Sequence, residues 1–308
     1  MTTTADLEPV NTTTPPAPPP RPPRYAPSHR IVLTAEAPLH HGAFGGDAGN
    51  AVLFRRVPIA SYPDSSGVPA ISGNALRGAL RRIVMRDLLM RCDLTVATYS
   101  AAGLSASQWD RLYAALANGG HLDGSETKTD PVRIRQVRDT LPALSVFGAA
   151  LYTWMLPGLV SLGWSWPRCV ETVSSGLVPA DVAVDQPLVP GEALLTEITL
   201  VRHIDRDEQD PTSSGVTPMP VTVEALMPGT TLVTSLIAMR RMSDVELGVM
   251  GYGLSLLRTL GGKAGSGFGR MRVVHDVPDE PYVGWLADPE RIAAAREMLL
   301  TIARSAGK

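Results

Sequence analysis

The stretch from Gly67 to Arg82, GVPAISGNALRGALRR, constrains the fold of this chain more than any other. An apolar Pro-Ala-Ile run passes into the small, polar Ser72-Gly73-Asn74, after which Leu76, Leu80, Ile83, Val84 and Leu88 recur at helical spacing. A strand or extended loop must therefore deliver a helix N-terminus at Ser72–Asn74, with the helix running to about Asp93. The N–H groups of such a first turn have no internal partner, Gly73 admits another backbone at close range, and Arg77 and Arg81 lie one turn apart on one side. That arrangement suits a phosphate. An ordinary capped surface helix with solvated arginines fits the same residues, so the reading depends on what else the chain gathers there.

Ahead of this helix, Arg30–Ala37 (RIVLTAEA) reads as a buried strand. It ends in Pro38-Leu39-His40-His41-Gly42, followed by glycine-rich residues 43–50 and a further extended stretch, Val52–Ile59, that carries Arg55 and Arg56. Two adjacent histidines near Asp47 invite a metal-site hypothesis, even a metal-dependent hydrolase. A metal needs three or four converging ligands, however, and no other His, Cys or carboxylate cluster has ligand spacing. The expectation is no metal and no cofactor. Ring systems beside a glycine loop equally suit stacking on a base or a hydrogen bond to a ribose, which makes His40, His41, Arg55 and Arg56 candidate RNA contacts.

Residues 99–190 read as an irregular insertion, with a short helical piece around Trp109–Ala117 and a polar loop at 119–130. From Leu141 to Pro167 there is no charged residue, a length sufficient for a bilayer span. Pro142, Pro157 and Pro167, with the Leu-Pro-Gly at 156–158, instead predict a turn between two shorter buried elements and no membrane partner. Two strands, at 191–202 and from Val221, flank the polar excursion DRDEQDPTSSGVTPMP, which predicts a protruding hairpin; another strand follows at 229–240. Ser243-Asp244-Val245-Glu246 is a capping box ahead of a helix striped by Leu247, Met250, Leu254 and Leu257. Gly248, Gly251 and Gly253 each cost that helix about 1 kcal/mol against alanine, so close packing must offset them. The loop GGKAGSGFGR follows a helix and precedes a strand, Met271–His275, so it lacks the strand-to-helix context of a phosphate-binding Walker loop. A final helix starts at Asp288-Pro289.

The formal net charge of -2 gives no global polyanion signature, so nucleic-acid binding would have to come from local arrangement. Cys92 and Cys169 are too few for a disulfide framework or a cysteine zinc site, and no signal sequence opens the chain, which reads as cytoplasmic. Residues 1–28, including PPAPPPRPPR at 15–24, read as a disordered Pro-rich tail. Strand, helix, hairpin strands, helix and strand in that order predict an α+β chain: a ferredoxin-like or RNA-recognition-motif βαββαβ core at 29–276, with a thumb hairpin at 203–221 and a large helical insertion at 99–190. A C-terminal helical extension covers 277–308.

Four segments in register resemble one family. PAISGNALRGALR looks like the Pro-x-Ile-x-Gly-Ser-x-Leu-(Lys/Arg)-Gly motif of the RAMP superfamily, the proteins that build CRISPR effector complexes. PLHHGAFGGDAGN resembles the family's loop after the first strand, RHIDRDEQDP with EALMPGT its segments flanking the thumb, and LGGKAGSGFGRM its glycine-rich loop. SVFGAAL resembles a Leu-Phe-Gly segment that precedes a core strand. The long thumb and large insertion look most like the backbone subunit, the Cas seven family, in its type IV form, with type III as second choice. What the resemblance implies is a subunit polymerising head-to-tail along a CRISPR guide RNA in a ribonucleoprotein used in antiviral defence. Its partners would be the guide, copies of itself, other effector subunits and, through the guide, a target nucleic acid. By position, Ser72, Gly73, Asn74, Arg77 and Arg81 would grip phosphates, and Lys263 to Gly269, with Ser266, would lie along the RNA. Arg206, Val216 and Met219 would belong to the thumb, the latter two as wedges. Type III members carry a loop aspartate, in a Gly-Ile-Asp setting, that serves target-RNA cleavage; here the stretch reads Ala48-Gly49-Asn50. Asparagine cannot act as a carboxylate base, so a subunit without catalytic residues is expected, the alternative being RNA cleavage through the displaced carboxylate of Asp47.

Overall fold

A computed structural model describes residues 29–48, 51–122, 130–152, 154–201 and 220–305. The expected Pro-rich tail, Asn50, and the thumb residues Arg206, Val216 and Met219 lie outside the described residues. The chain opens with β1 (His29–Ala35), in which Ile31, Leu33 and Ala35 are fully buried while Arg30, Val32 and Thr34 alternate to the other face. Next come β2 (Gly42–Ala48), β3 (Ala51–Phe54), β4 (Arg56–Val57) and β5 (Val68–Pro69). Helix α1 (Gly73–Arg91) is capped by Ser72, whose hydroxyl accepts from Ala75 N at 3.3 Å. Leu76, Leu80, Val84 and Leu88 give it a buried stripe.

The insertion folds as α2 (Ala106–Tyr113) with a π-helical turn at Ala114–Asn118, β6 (Gly120–Leu122), α3 (Pro131–Thr140) and α4 (Pro142–Phe147). The uncharged stretch continues as four short strands: β7 (Ala149–Tyr152), β8 (Trp154–Leu156), β9 (Val160–Leu162) and β10 (Trp166–Pro167). A turn at Pro157–Gly158 separates β8 from β9, as the proline pattern predicts, and no described helix is long and apolar enough to cross a membrane. After α5 (Val170–Ser174) come β11 (Leu195–Leu200), β12 (Val221–Leu226), β13 (Thr231–Ala238) and α6 (Asp244–Leu256), then β14 (Met271–His275), α7 (Glu280–Leu286) and α8 (Pro289–Ser305). The Ser243–Glu246 capping box forms in full at the head of α6.

Two sheets organise these elements. The main, five-stranded sheet runs β10-β13-β1-β14, with β9 also on β13, and every pairing is antiparallel. Its far edge therefore comes from Val160–Pro167, inside the segment expected to be an insertion; a stretch lying between two other elements in sequence is here part of the central layer. Helices α1 and α6 pack on each other and on this sheet. The second sheet, β11-β12-β3-β2, joins the hairpin β11–β12, in register from Leu195↔Leu226 to Leu200↔Val221, to the strands after the histidine loop. The expected protruding excursion thus leaves from the end of a paired ribbon. Helix α7, inside the segment expected to be a C-terminal helical extension, stacks Tyr282 against Trp285 and packs on α6.

Candidate nucleic-acid interface

The histidine loop is where the expected contact residues meet. His40 is 4% exposed; its Nδ1–H donates to the Glu224 carbonyl oxygen on β12 at 2.7 Å, and its own carbonyl accepts from Gly262 N at 2.9 Å. Pro38 O takes Gly269 N at 2.8 Å, so the loop after β1 and the glycine-rich loop before β14 are laced together by backbone bonds. Gly261, at φ +88, leaves no room for a side chain, because a Cβ would fall on the His40 carbonyl. Phe268 pins the glycine loop from beneath by packing on Val223 and Ala225 of β12.

One residue on, His41 Nε2 accepts the Ser72 N–H at 3.3 Å, at the entrance to α1. Burial, with Arg55 and His40 close by, lowers its pKa from the ordinary 6.5 to about 4, so the ring is neutral and keeps this acceptor role. The two histidines thus serve separate partners on separate elements, and no group of three or more His, Cys, Asp or Glu side chains that could hold a metal ion occurs among the described residues. Asp47 sits in β2, its backbone paired with Val52.

The N–H groups of Gly73 and Asn74 find no acceptor among the described residues, and Asn74 is exposed. Lys263 is exposed in the left-handed region at φ 63; its carbonyl accepts from Ser266 N at 2.9 Å, while its ammonium has no hydrogen bond or ion pair among the described residues, and Ser266 lies in the exposed turn that bond closes. The histidine loop thus joins the α1 N-terminus, through His41 and Ser72, to the glycine loop, through His40–Gly262 and Pro38–Gly269, and Leu39 ties it to Leu226 of β12.

Several of the expected contacts make internal bonds instead. Arg81 is buried and Arg77 half-buried: the Nη2 groups of both donate to the Phe147 carbonyl, and Arg81 also reaches Gly148 O at 3.1 Å. Burial depresses both guanidiniums, that of Arg81 to about 10 with Arg77 contributing, and Arg81 stands 5.9 Å from the Phe147 ring centre. The pair caps the C-terminal end of α4, where carbonyls concentrate negative potential. Arg56 forms bidentate bonds to Glu224 (2.6 and 2.8 Å) and further bonds to Glu192 (3.0 and 3.3 Å), which neutralise it. Gly73 does admit a close backbone, but an internal one, since a Cβ there would stand 2.0 Å from Leu162 O. Arg55, half-buried, lies between the histidine loop and β5 through bonds of its backbone to His41 O (2.8 Å) and from Ala70 N (3.1 Å). The organising residue that sequence reasoning missed is Glu224. Its carboxylate holds Phe54 N and Arg56 while its carbonyl holds His40, and the one signal was an acidic residue inside an alternating strand.

No family model matches this sequence, and no curated protein matches it significantly. Among solved structures, a chain of a type IV-B CRISPR complex aligns over 85% of this chain and 99% of its own length, with 19% identity and a TM-score of 0.54. The two chains share a fold. A chain from the cryo-EM structure of the type III-B Cmr-beta complex bound to cognate target RNA aligns over 82% of this chain and 98% of its own, with 13% identity and a TM-score of 0.44. The resemblance read from four motifs is thus matched, for the type IV-B complex, at the level of fold.

Proposed function

We propose that this chain is a guide-RNA-binding backbone subunit of a CRISPR effector complex, polymerising head-to-tail along the guide without cleaving nucleic acid. The observation that carries the reading is the fold shared with a chain of a type IV-B CRISPR complex over nearly that chain's whole length. The strand order β14-β1-β13-β9/β10, with α1 and α6 packed on the sheet, supports a ferredoxin-like core. Asn74, the Gly73 and Asn74 N–H groups, Lys263 and Ser266 supply unpaired donors and one cation for a phosphate backbone, as a sequence-independent RNA grip requires. Target sequence would then be read by base pairing with the guide. Arg77, Arg81 and Arg56 have no part in this grip; they build the frame beneath it.

Lys263→Gly tests the grip cleanly, because glycine accepts the left-handed backbone at that position while losing the cation. The expected outcome is a stably folded protein whose RNA affinity falls and whose logarithmic salt dependence shrinks by about one unit of slope, the loss of one phosphate contact. Unchanged affinity and slope, or wild-type protein purified free of RNA alongside its genomic neighbours, would refute the reading. Incubation of the assembled complex with complementary RNA and magnesium checks the absence of cleavage; regular fragments abolished by Asp47→Ala would reverse it.

A further inference from the structure

The face of the main sheet turned away from α1 and α6 is only partly covered. Val178 and Val182 pack onto Val32 and Val233 at one side, leaving a cleft of about 860 Å³ beside Trp164 and Trp166. The two indoles stand 6.2 Å apart at 38°, both half-buried, and neither ring N–H finds an acceptor among the described residues. Pro179 and exposed Leu177 close the opposite wall. Asp276 and Arg30 line the cleft; Asp276 meets His29 at 3.2 Å and Arg30 holds Asp181 at 3.4 Å, each carboxylate, 71% and 72% exposed, using one oxygen and leaving the other unpaired among the described residues. The rim is formed in part by the first residues of β1, so the chain before His29 reaches the core at this cleft.

We propose that the cleft binds the proline-rich segment of this chain's own N-terminus, residues 15–24. The polyproline II conformation favoured by PPAPPPRPPR has no internal hydrogen bonds and presents free carbonyls along a rigid, apolar ridge. Aromatic-lined grooves with indole donors recognise that form. Arg21 and Arg24 supply donors for the carboxylate oxygens of Asp181 and Asp276 that Arg30 and His29 leave open. At about 3.1 Å per residue, Arg24 lies within ~16 Å of His29 along the chain and Pro15 within ~43 Å. The segment therefore spans a seven-residue strand with length to spare, and its tether gives it an effective concentration on the order of millimolar.

Ala17→Cys in the full chain provides the test. Cys92 and Cys169 are buried, their thiols pushed up to about 11, so a nitroxide reagent labels position 17 selectively. With tryptophan indoles isotopically labelled, the Trp164 and Trp166 N–H resonances are expected to lose more than half their intensity, while those of Trp109, Trp154 and Trp285 persist. Replacing Pro18, Pro19 and Pro20 by serine, outside the folded core, is expected to restore them. Three results overturn the proposal: uniform intensities in the labelled chain, broadening seen only when isotope and nitroxide sit on different chains, or indoles that ignore the nitroxide yet shift on adding oligouridylate. The last would make the cleft an RNA surface.

Discussion

Two guanidiniums converging on one carbonyl repel each other, and the structure tolerates them because the Phe147 carbonyl lies at the C-terminal end of α4, where negative potential concentrates. Removing one is therefore a packing defect as much as an electrostatic change. Arg81→Ala is expected to cost about 2–4 kcal/mol of stability, through a cavity beside Phe147 and an unsatisfied Gly148 carbonyl. The neighbouring, exposed Arg82→Ala should stay within about 0.5 kcal/mol. Urea denaturation distinguishes the two, and the salt slope of RNA binding should be unchanged in Arg81→Ala under conditions where it remains folded. The spacing of Arg77 and Arg81 on one side of a helix was legible in the sequence; their direction was not. Their acceptors come from α4, far along the chain, and no periodicity within α1 encodes which side that element covers. Arg56 behaves likewise, because Glu224 and Glu192 reach it only through the pairing of β11, β12 and β3.

The glycines of α6 show how an element absorbs a propensity cost. A Cβ at Gly251 would meet the Pro278 carbonyl at 2.3 Å, one at Gly248 the Tyr282 nitrogen at 2.8 Å, and one at Gly253 the Val84 side chain at 3.1 Å. The helix is thin on two sides so that α7 and α1 can approach its backbone. Gly251→Ala should thus destabilise despite the better helix propensity of alanine. Gly284→Ala in α7, where a Cβ meets nothing within 4 Å and no positive φ applies, should stabilise by about 0.5–1 kcal/mol. Thermal melts of the two variants should move in opposite directions. Elements with strong local signals were legible: the Ser72 cap, the Ser243 capping box, β14, and the α8 start at Pro289. The short strands β9 and β10 were not, since two or three residues in a proline-rich apolar run carry no period, and only pairing with β13 defines them. The candidate interface was legible as a set of loops, and less so as a set of side chains, because backbone lacing rather than charge assembles it.

At the scale of the molecule, the central strand β1 is among the first described elements of the chain, yet it pairs with β13 and β14, encoded near the opposite end. Non-local pairing of this kind is entropically expensive and slow to nucleate. At bacterial-type synthesis rates of roughly 5–20 residues per second, β1 waits on the order of 12–50 seconds for Met271–His275 to be made. Chains arrested before Met271 on the ribosome should remain sensitive to protease throughout, and extension past His275 with the exit-tunnel length added should confer resistance as one step. The glycine loop is stitched to the histidine loop only beside that same closing strand, through Gly262 and Gly269. The laced pair of loops therefore cannot form on a chain that has not yet reached β14. Synthesis order itself acts as a checkpoint: a nascent or truncated product that stops short of Met271 lacks the laced pair of loops altogether.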